Sequence, residues 1–151
     1  MRNSPWLHRG GPAVVAGLAT VAVAACGAAG HPGGTASPRP AGGCTAATAV
    51  ASATVLATSK LRFVPATVCL QRGGTVTWKN VATALDHTST DEPSLAVNPP
   101  DAEIPPGGRG WNHLLRPGES ASVTFTTVGT YRYFCIPHET FGMLGKVIVV
   151  G

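Results

Sequence analysis

The chain has 151 residues, of which 44% are hydrophobic and only 12% are charged, with 19 Gly and 13 Pro. This length predicts one domain once the terminal segments are set aside, and the composition favours a turn-rich β protein over a helical bundle. The net charge of +4 includes Arg2 and Arg9; without them the 11 Lys and Arg fall to nine against seven Asp and Glu, which gives +2. Because no clustered basic surface remains, nucleic-acid binding is not expected.

The first 25 residues indicate a targeting segment. Arg2 and Arg9 form a positive start, and an apolar run of small residues extends from 12 to 25. The run is shorter than the ~20 residues that a membrane-spanning helix needs, which argues against the alternative of a transmembrane anchor. The segment resembles a bacterial lipoprotein signal, which implies cleavage before Cys26 and lipidation of that cysteine. We therefore expect an extracytoplasmic domain, anchored to the cell membrane by lipid.

Residues 26–44 are rich in Gly, Ala, Pro, Ser and Thr and show no apolar periodicity. This composition predicts a flexible tether, in which His31 is solvated and not a metal ligand. The folded domain is expected over residues 45–151.

Strand patterns begin directly after the tether. Residues 48–57 alternate β-branched with small residues and predict a first strand. Residues 61–70 predict two short strands separated at Pro65, because proline cannot donate to a β-ladder. A turn is expected at residues 72–74, and residues 75–78 predict the next strand.

The second half of the chain contains a long irregular stretch, residues 89–118, with six prolines. A stretch of this length inside a compact domain predicts a functional or packed loop. Residues 121–126 alternate as a strand does, and Gly129 opens the strand that leads to Cys135. Several short strands with turn signals and no amphipathic helix predict an all-β sandwich.

The last quarter of the chain contains the strongest functional signal, the spacing Cys135-x-x-His138-x-x-x-x-Met143. A thiolate, an imidazole and a thioether on one loop are soft and borderline ligands, which suit copper far better than calcium or magnesium. Zinc is disfavoured because its usual protein ligands do not include methionine. The spacing therefore predicts a copper site.

One loop supplies three ligands, so a fourth must come from elsewhere in the fold. His87 is the best candidate, because it follows the strand pattern of residues 74–80. His113 is the rival, but it lies in the irregular stretch 89–118 with no strand pattern to position it. Two His and one Cys with a weak axial Met form the ligand set of a blue-copper electron-transfer site.

From about Lys60 to the C-terminus the chain resembles the cupredoxins, especially the plastocyanin and pseudoazurin branch. The resemblance is carried by residues 74–80 (GTVTWKN), 129–138 (GTYRYFCIPH) and 142–147 (GMLGKV). It implies a Greek-key β-sandwich with one copper ion at one end. It also disfavours His113, which lies too near Cys135 for the family pattern. The implied copper ligands are His87, Cys135, His138 and Met143.

The same resemblance implies a function. The protein is expected to carry single electrons by Cu(I)/Cu(II) cycling, as a monomer that docks transiently with redox partner proteins, and not to be an enzyme. An enzyme of this class would need further His clusters and an open coordination position. The alternative is a copper-binding lipoprotein for copper storage or delivery, although only two Met occur in the chain.

The resemblance also implies roles around the site. His138 is the expected electron port, and the N–H of Thr88 is expected to donate to the thiolate. Glu139 stands where the family usually has a small or amide residue, and it places a negative charge near the port. We expect this charge either to bias partner choice or to be a solvated charge at the rim. An apolar patch of Leu85, Pro137 and Phe141 is expected around this port. For Phe141, packing in the core is the alternative.

Four cysteines are present and each has a predicted fate. Cys26 is assigned to lipid and Cys135 to metal. Cys44 and Cys69 remain, and in an extracytoplasmic domain two such residues are expected to pair. A bridge between them would contribute ~3 kcal/mol to stability; the alternative is two buried free thiols.

Overall fold

The computed structural model describes residues 43–151. The predicted signal peptide, the lipidation site Cys26 and most of the predicted tether lie outside the described residues. Within 43–151 no helix is both long and apolar enough to cross a membrane. The β-strands are β1 (Val50–Thr58), β2 (Arg62–Val64), β3 (Thr67–Asn80), β4 (His87–Thr90), β5 (Asn112–Leu115), β6 (Ser120–Thr124), β7 (Gly129–Phe134) and β8 (Leu144–Val150). The 3₁₀ helices are Pro93–Leu95, Pro99–Asp101 and Ile136–Phe141.

Strand β3 joins the two layers of the sandwich. Its first part, residues 67–71, pairs in parallel with β8, whereas residues 75–79 pair antiparallel with β6. The hydrogen-bonded order is β2-β1-β3-β8-β7-β4-β5, with β6 on the second half of β3. Because the two halves of β3 pair with different strands, its first half belongs to one layer and its second half to the other. The predicted all-β sandwich is confirmed.

The prediction of a turn at residues 72–74 is wrong, because β3 continues through them. Gly73 adopts a φ of +83°, and a side chain at Gly74 would lie 2.8 Å from the carbonyl oxygen of Ala51. The register with β1 shifts at the same place. The two glycines therefore form a bulge that bends the strand from one layer to the other.

The stretch 89–118 is more regular than the sequence predicts. It contains the end of β4, two 3₁₀ helices and β5, which pairs antiparallel with β4. His113 lies on β5 opposite Ser89, so the expectation that no strand positions it is wrong. The strand has only four residues and depends on pairing with β4, so a local pattern could not reveal it.

The core between the layers is aromatic. Trp78 of β3 packs edge-on against Tyr133 of β7, with ring centroids 5.3 Å apart, and lies 5.2 Å from the ring of Trp111. The buried alternation Val76, Trp78 along β3 follows the period of two expected of a strand. Cys135 and Met143 belong to the same buried cluster. These two predicted sulfur ligands are therefore held in the core of the domain.

Candidate metal centre

The segment 135–143, called the ligand loop below, connects β7 to β8. Cys135 follows β7 directly and Met143 precedes β8 directly, and both side chains are fully buried. Because β7 and β8 are antiparallel neighbours, the two ends of the loop meet. The N–H of Cys135 donates to the carbonyl of Met143 at 3.1 Å. A short connection between two adjacent strands thus brings sulfur ligands eight positions apart into one place.

His138 lies within the ligand loop, in the 3₁₀ helix Ile136–Phe141. Pro137 stands in the first turn of this helix, where its missing N–H costs nothing, and Gly142 ends it in the left-handed conformation with φ +76°. The His138 N–H donates to the Cys135 carbonyl at 2.9 Å, and the Met143 N–H donates to the His138 carbonyl at 3.2 Å. The imidazole is half-buried, so one side of it reaches solvent.

His87 begins β4 and is fully buried. The loop that leads to it is organised by Asn80, whose side-chain N–H groups donate to the carbonyls of Leu85 at 2.7 Å and Leu115 at 2.8 Å. Its Oδ1 accepts from the N–H of Ala82 at 2.9 Å. Sequence reasoning missed this role of Asn80. The available signal was a polar residue at a core-facing position of the alternation in β3.

The three potential nitrogen and thiol ligands meet in a small volume. Cys135 Sγ lies 3.6 Å from Nδ1 of His87 and 3.3 Å from Nδ1 of His138. One ligand atom from each residue lies within 4.8 Å of the others. His113 does not belong to this group, and Met143 is tied to it through the backbone bonds of the ligand loop. The structure therefore brings the two imidazoles and the thiol together within ligand distance of one point.

The protonation states around the site favour a metal. Burial lowers the pKa of His138, and burial together with the nearby His138 lowers the pKa of His87. Both imidazoles are therefore neutral near pH 7, the form that binds metal. Burial raises the pKa of Cys135, against the opposing effect of the Thr88 N–H, which donates to Sγ at 3.2 Å. Metal binding must then displace a proton from the thiol.

The surroundings of His138 differ in part from expectation. Phe141 is 64% exposed, so the core-packing alternative is wrong, and Leu85 and Pro137 are exposed as expected. Glu139 is only 4% exposed. Its carboxylate accepts from the N–H groups of Val97 and Asn98, both at 2.8 Å. The expectation of a solvated rim charge is therefore wrong, because the carboxylate is bonded inside the protein, whereas an effect of its charge on partner choice stays a prediction.

The remaining cysteines lie far along the chain from the ligand loop. Cys44 and Cys69 form a disulfide with a Cα–Cα distance of 5.3 Å. It ties the segment that precedes β1 to the first half of β3. Among the described residues Cys135 is the free cysteine, and it is the one that faces the two imidazoles.

Two imidazoles, a thiol and a thioether on a rigid β framework define a class of protein, the type 1 copper proteins. Soft sulfur ligands with imidazole fit copper and not the hard cations. The N–H of Thr88 is placed to stabilise the thiolate, which is the kind of outer contact that tunes such a site. The described part of the chain thus has one type 1 copper site, at His87, Cys135, His138 and Met143.

Comparison with known proteins identifies the family. Residues 50–150 match the family described as copper binding proteins, plastocyanin/azurin family. The chain is 39% identical over 89 residues to chloroplastic plastocyanin of Tetradesmus obliquus, covering 59% of each chain. It is 38% identical over 94 residues to plastocyanin of Scenedesmus fuscus, covering 59% of this chain and 87% of that protein. The chain belongs to the plastocyanin/azurin family.

A solved structure supports the same assignment. Dithionite-reduced auracyanin from Roseiflexus castenholzii aligns with a TM-score of 0.52 and 26% identity, covering 68% of this chain and 99% of that one. The predicted cupredoxin-like Greek-key sandwich and the predicted copper cofactor are thereby confirmed. The class of this chain is a type 1 copper electron-transfer protein and not an enzyme.

Proposed function

We propose that the protein carries single electrons between redox partner proteins at the outer face of the cytoplasmic membrane, held there by a lipid on Cys26. The observation that carries the electron-transfer part is the preassembled ligand set, in which His87 and Cys135 are fully buried and His138 alone is half-exposed. Copper, when bound, supplies the Cu(I)/Cu(II) couple. A rigid set of ligands keeps rearrangement small when the charge changes.

His138 is the proposed electron port. Its ring contacts Cys135 Sγ on the inside, at 3.3 Å, and the 3₁₀ helix that carries it also exposes three apolar side chains, those of Ile136, Pro137 and Phe141. Ile136 is 38% exposed and Phe141 is 64% exposed. A small apolar surface around a ligand suits brief docking, because redox complexes bury little area and separate quickly. The protein is proposed to act as a monomer in these encounters.

The electron-transfer proposal is tested by the electron self-exchange rate, measured by NMR line broadening in mixtures of the Cu(I) and Cu(II) forms. Phe141→Ala removes part of the proposed docking surface and is expected to slow self-exchange about tenfold, the effect of about 1.4 kcal/mol in docking. Val128→Ala is the matched control, because Val128 is 49% exposed but precedes β7 at the end away from Cys135. Equal effects of the two substitutions would contradict the port at His138.

Copper storage or delivery is the alternative function, and the same sample distinguishes it. A carrier of electrons keeps its copper through many redox cycles, whereas a delivery protein releases Cu(I) to a competing chelator within the time of one encounter. Retention of copper through repeated reduction with dithionite and reoxidation is the expected result. Rapid loss of copper on reduction would favour delivery.

The membrane location rests on the sequence of the first 26 residues and needs its own test. Expression of the full chain in a bacterium should give a protein in the membrane fraction, with an acylated Cys26 found by mass spectrometry. Cys26→Ser should remove the acyl groups and release the protein from the membrane fraction after signal cleavage. Membrane retention of Cys26→Ser without acylation would instead indicate that the apolar segment itself is the anchor.

A further inference from the structure

Glu139 carries a buried carboxylate that does not belong to the set of copper ligands. It follows the ligand His138 directly, yet its side chain points away from solvent and is 4% exposed. Burying a carboxylate is costly unless it is hydrogen-bonded. Here Oε2 accepts from the N–H of Val97 and Oε1 from the N–H of Asn98, both at 2.8 Å. Neither ion pair found among the described residues involves Glu139, so its bonds are to the backbone.

These bonds join two segments that are distant in sequence. Val97 and Asn98 lie between the 3₁₀ helices Pro93–Leu95 and Pro99–Asp101, so the acceptor belongs to the ligand loop and the donors to the proline-rich segment 93–101. Prolines at the start of both helices restrict the backbone of this segment. A stiff segment with two N–H groups aimed at one carboxylate makes a bidentate clamp on the ligand loop.

Besides the clamp and the Thr88 N–H bond to Cys135 Sγ, two further hydrogen bonds attach the ligand loop to the rest of the protein. The Ile136 N–H donates to Thr88 Oγ1 at 2.8 Å, and Nη1 of Arg62 donates to the Phe141 carbonyl at 3.0 Å. The first attachment holds the start of the loop and the second holds its end. Glu139 holds the middle, one residue from the imidazole. The His138 ring itself contacts Cys135 Sγ but depends on its backbone for position.

We propose that Glu139 is a positioning residue, which anchors the ligand loop to the proline-rich segment and thereby fixes the His138 imidazole against Cys135. The inference deepens the proposed function, since it rests on His138 being a copper ligand and the electron port. It assigns the segment 93–101 a role as a support for the metal centre. That role explains why an acidic residue is tolerated, buried, next to a copper ligand.

The first test uses the apo-protein and needs no copper. Amide hydrogen exchange is measured in the wild type, Glu139→Gln and Glu139→Ala. Gln keeps one acceptor oxygen but turns its NH₂ group toward the second N–H, whereas Ala removes both acceptors. Exchange at Val97 and Asn98 should rise in the order wild type, Gln, Ala, by about tenfold or more for Ala, because a hydrogen bond to a charged group is lost. Unchanged exchange at these two amides would overturn the clamp.

The second test asks whether the clamp acts on the copper ligand. Copper release from the Cu(II) protein to a chelator and the thiolate-to-copper absorption band are compared in the same variants. Copper release should be about tenfold faster in Glu139→Ala and the band should change shape, and both changes should be smaller in Glu139→Gln. Glu92→Gln is the matched control, because it removes the same charge just before Pro93 from a side chain that makes no capping hydrogen bond.

The outcomes separate the possible roles. A lower melting temperature with an unchanged band and release rate would show that Glu139 supports only the fold, and would overturn the proposal. Equal changes in Glu92→Gln and Glu139→Gln would show an effect of charge alone, and would also overturn it. Because band shape and copper release do not depend on a partner protein, failure of the clamp is distinguishable from failure of the electron-carrier function, which self-exchange measures.

Discussion

Asp91 is expected to contribute to stability with a pH dependence opposite to that of most carboxylates. The residue follows β4 and its side chain is fully buried. Oδ1 accepts from the N–H of Trp111 at 2.6 Å, whereas Oδ2 has no partner among the described residues. Burial, helped by the nearby charge of Glu92 and opposed by the Trp111 N–H, raises the pKa of Asp91 from 3.8 to about 7. At mildly acidic pH the folded protein therefore holds a proton that the unfolded chain releases.

The sign of the effect follows from this difference in bound protons. A carboxyl group whose pKa is raised by folding stabilises the folded state while it stays protonated, so stability falls as the pH rises from about 4 through 7. The interval between 3.8 and about 7 corresponds to about 4 kcal/mol. Asp91→Asn keeps an acceptor for the Trp111 N–H and cannot ionise, so this substitution should remove the fall in stability that the ionisation of Asp91 causes.

Urea unfolding followed by tryptophan fluorescence measures the effect on apo-protein from pH 4 to pH 8. The stability of Asp91→Asn minus that of the wild type should rise by about 4 kcal/mol over this range, and the titration of the copper ligands cancels in the difference. Asp101→Asn is the matched control on the same stretch of chain and should leave the wild-type slope in place. Parallel curves for the wild type and Asp91→Asn would refute the reasoning.

Three further substitutions test the framework. Replacing Cys44 and Cys69 together by Ala opens a loop with a sequence separation of 25 residues and should cost about 3 kcal/mol in the free energy of unfolding, measured by urea against the disulfide-bonded wild type. Gly145→Ala places a methyl group on the ring of Tyr133, which pairs with Gly145 across β7 and β8. The overpacking should cost about 1–3 kcal/mol and lower the melting temperature. Thr88→Val leaves the Ile136 N–H without its acceptor and should cost about 1–3 kcal/mol; an unchanged melting temperature would show that this attachment is dispensable.

The copper site was predictable from the sequence because its geometry is largely local. Cys135, His138 and Met143 occupy one short connection between two strands, so their spacing reflects the shape of that connection. His87 could be inferred only from resemblance and from the strand pattern before it. The Thr88 N–H···Sγ bond follows once His87 and Cys135 share a site, because the donor is the next residue along the chain.

Features that depend on contacts between distant segments were not predictable. Strand β5 exists because it pairs with β4, and four residues carry too little local pattern to show it. Gly73 and Gly74 are equally suited to a turn and to a bulge, and the neighbours of β3 on both layers decide between them. Glu139 looked like a surface charge because nothing near it in sequence reveals the N–H groups of residues 97 and 98.

The most direct test of the central claim is the visible absorption spectrum of the Cu(II) protein and of its His87→Ala and His113→Ala variants. The account predicts an intense thiolate-to-copper band that bleaches reversibly on reduction, is lost in His87→Ala and is kept in His113→Ala, because His87 and not His113 lies within ligand distance of Cys135. A pale wild-type spectrum, or loss of the band in His113→Ala with retention in His87→Ala, would contradict it.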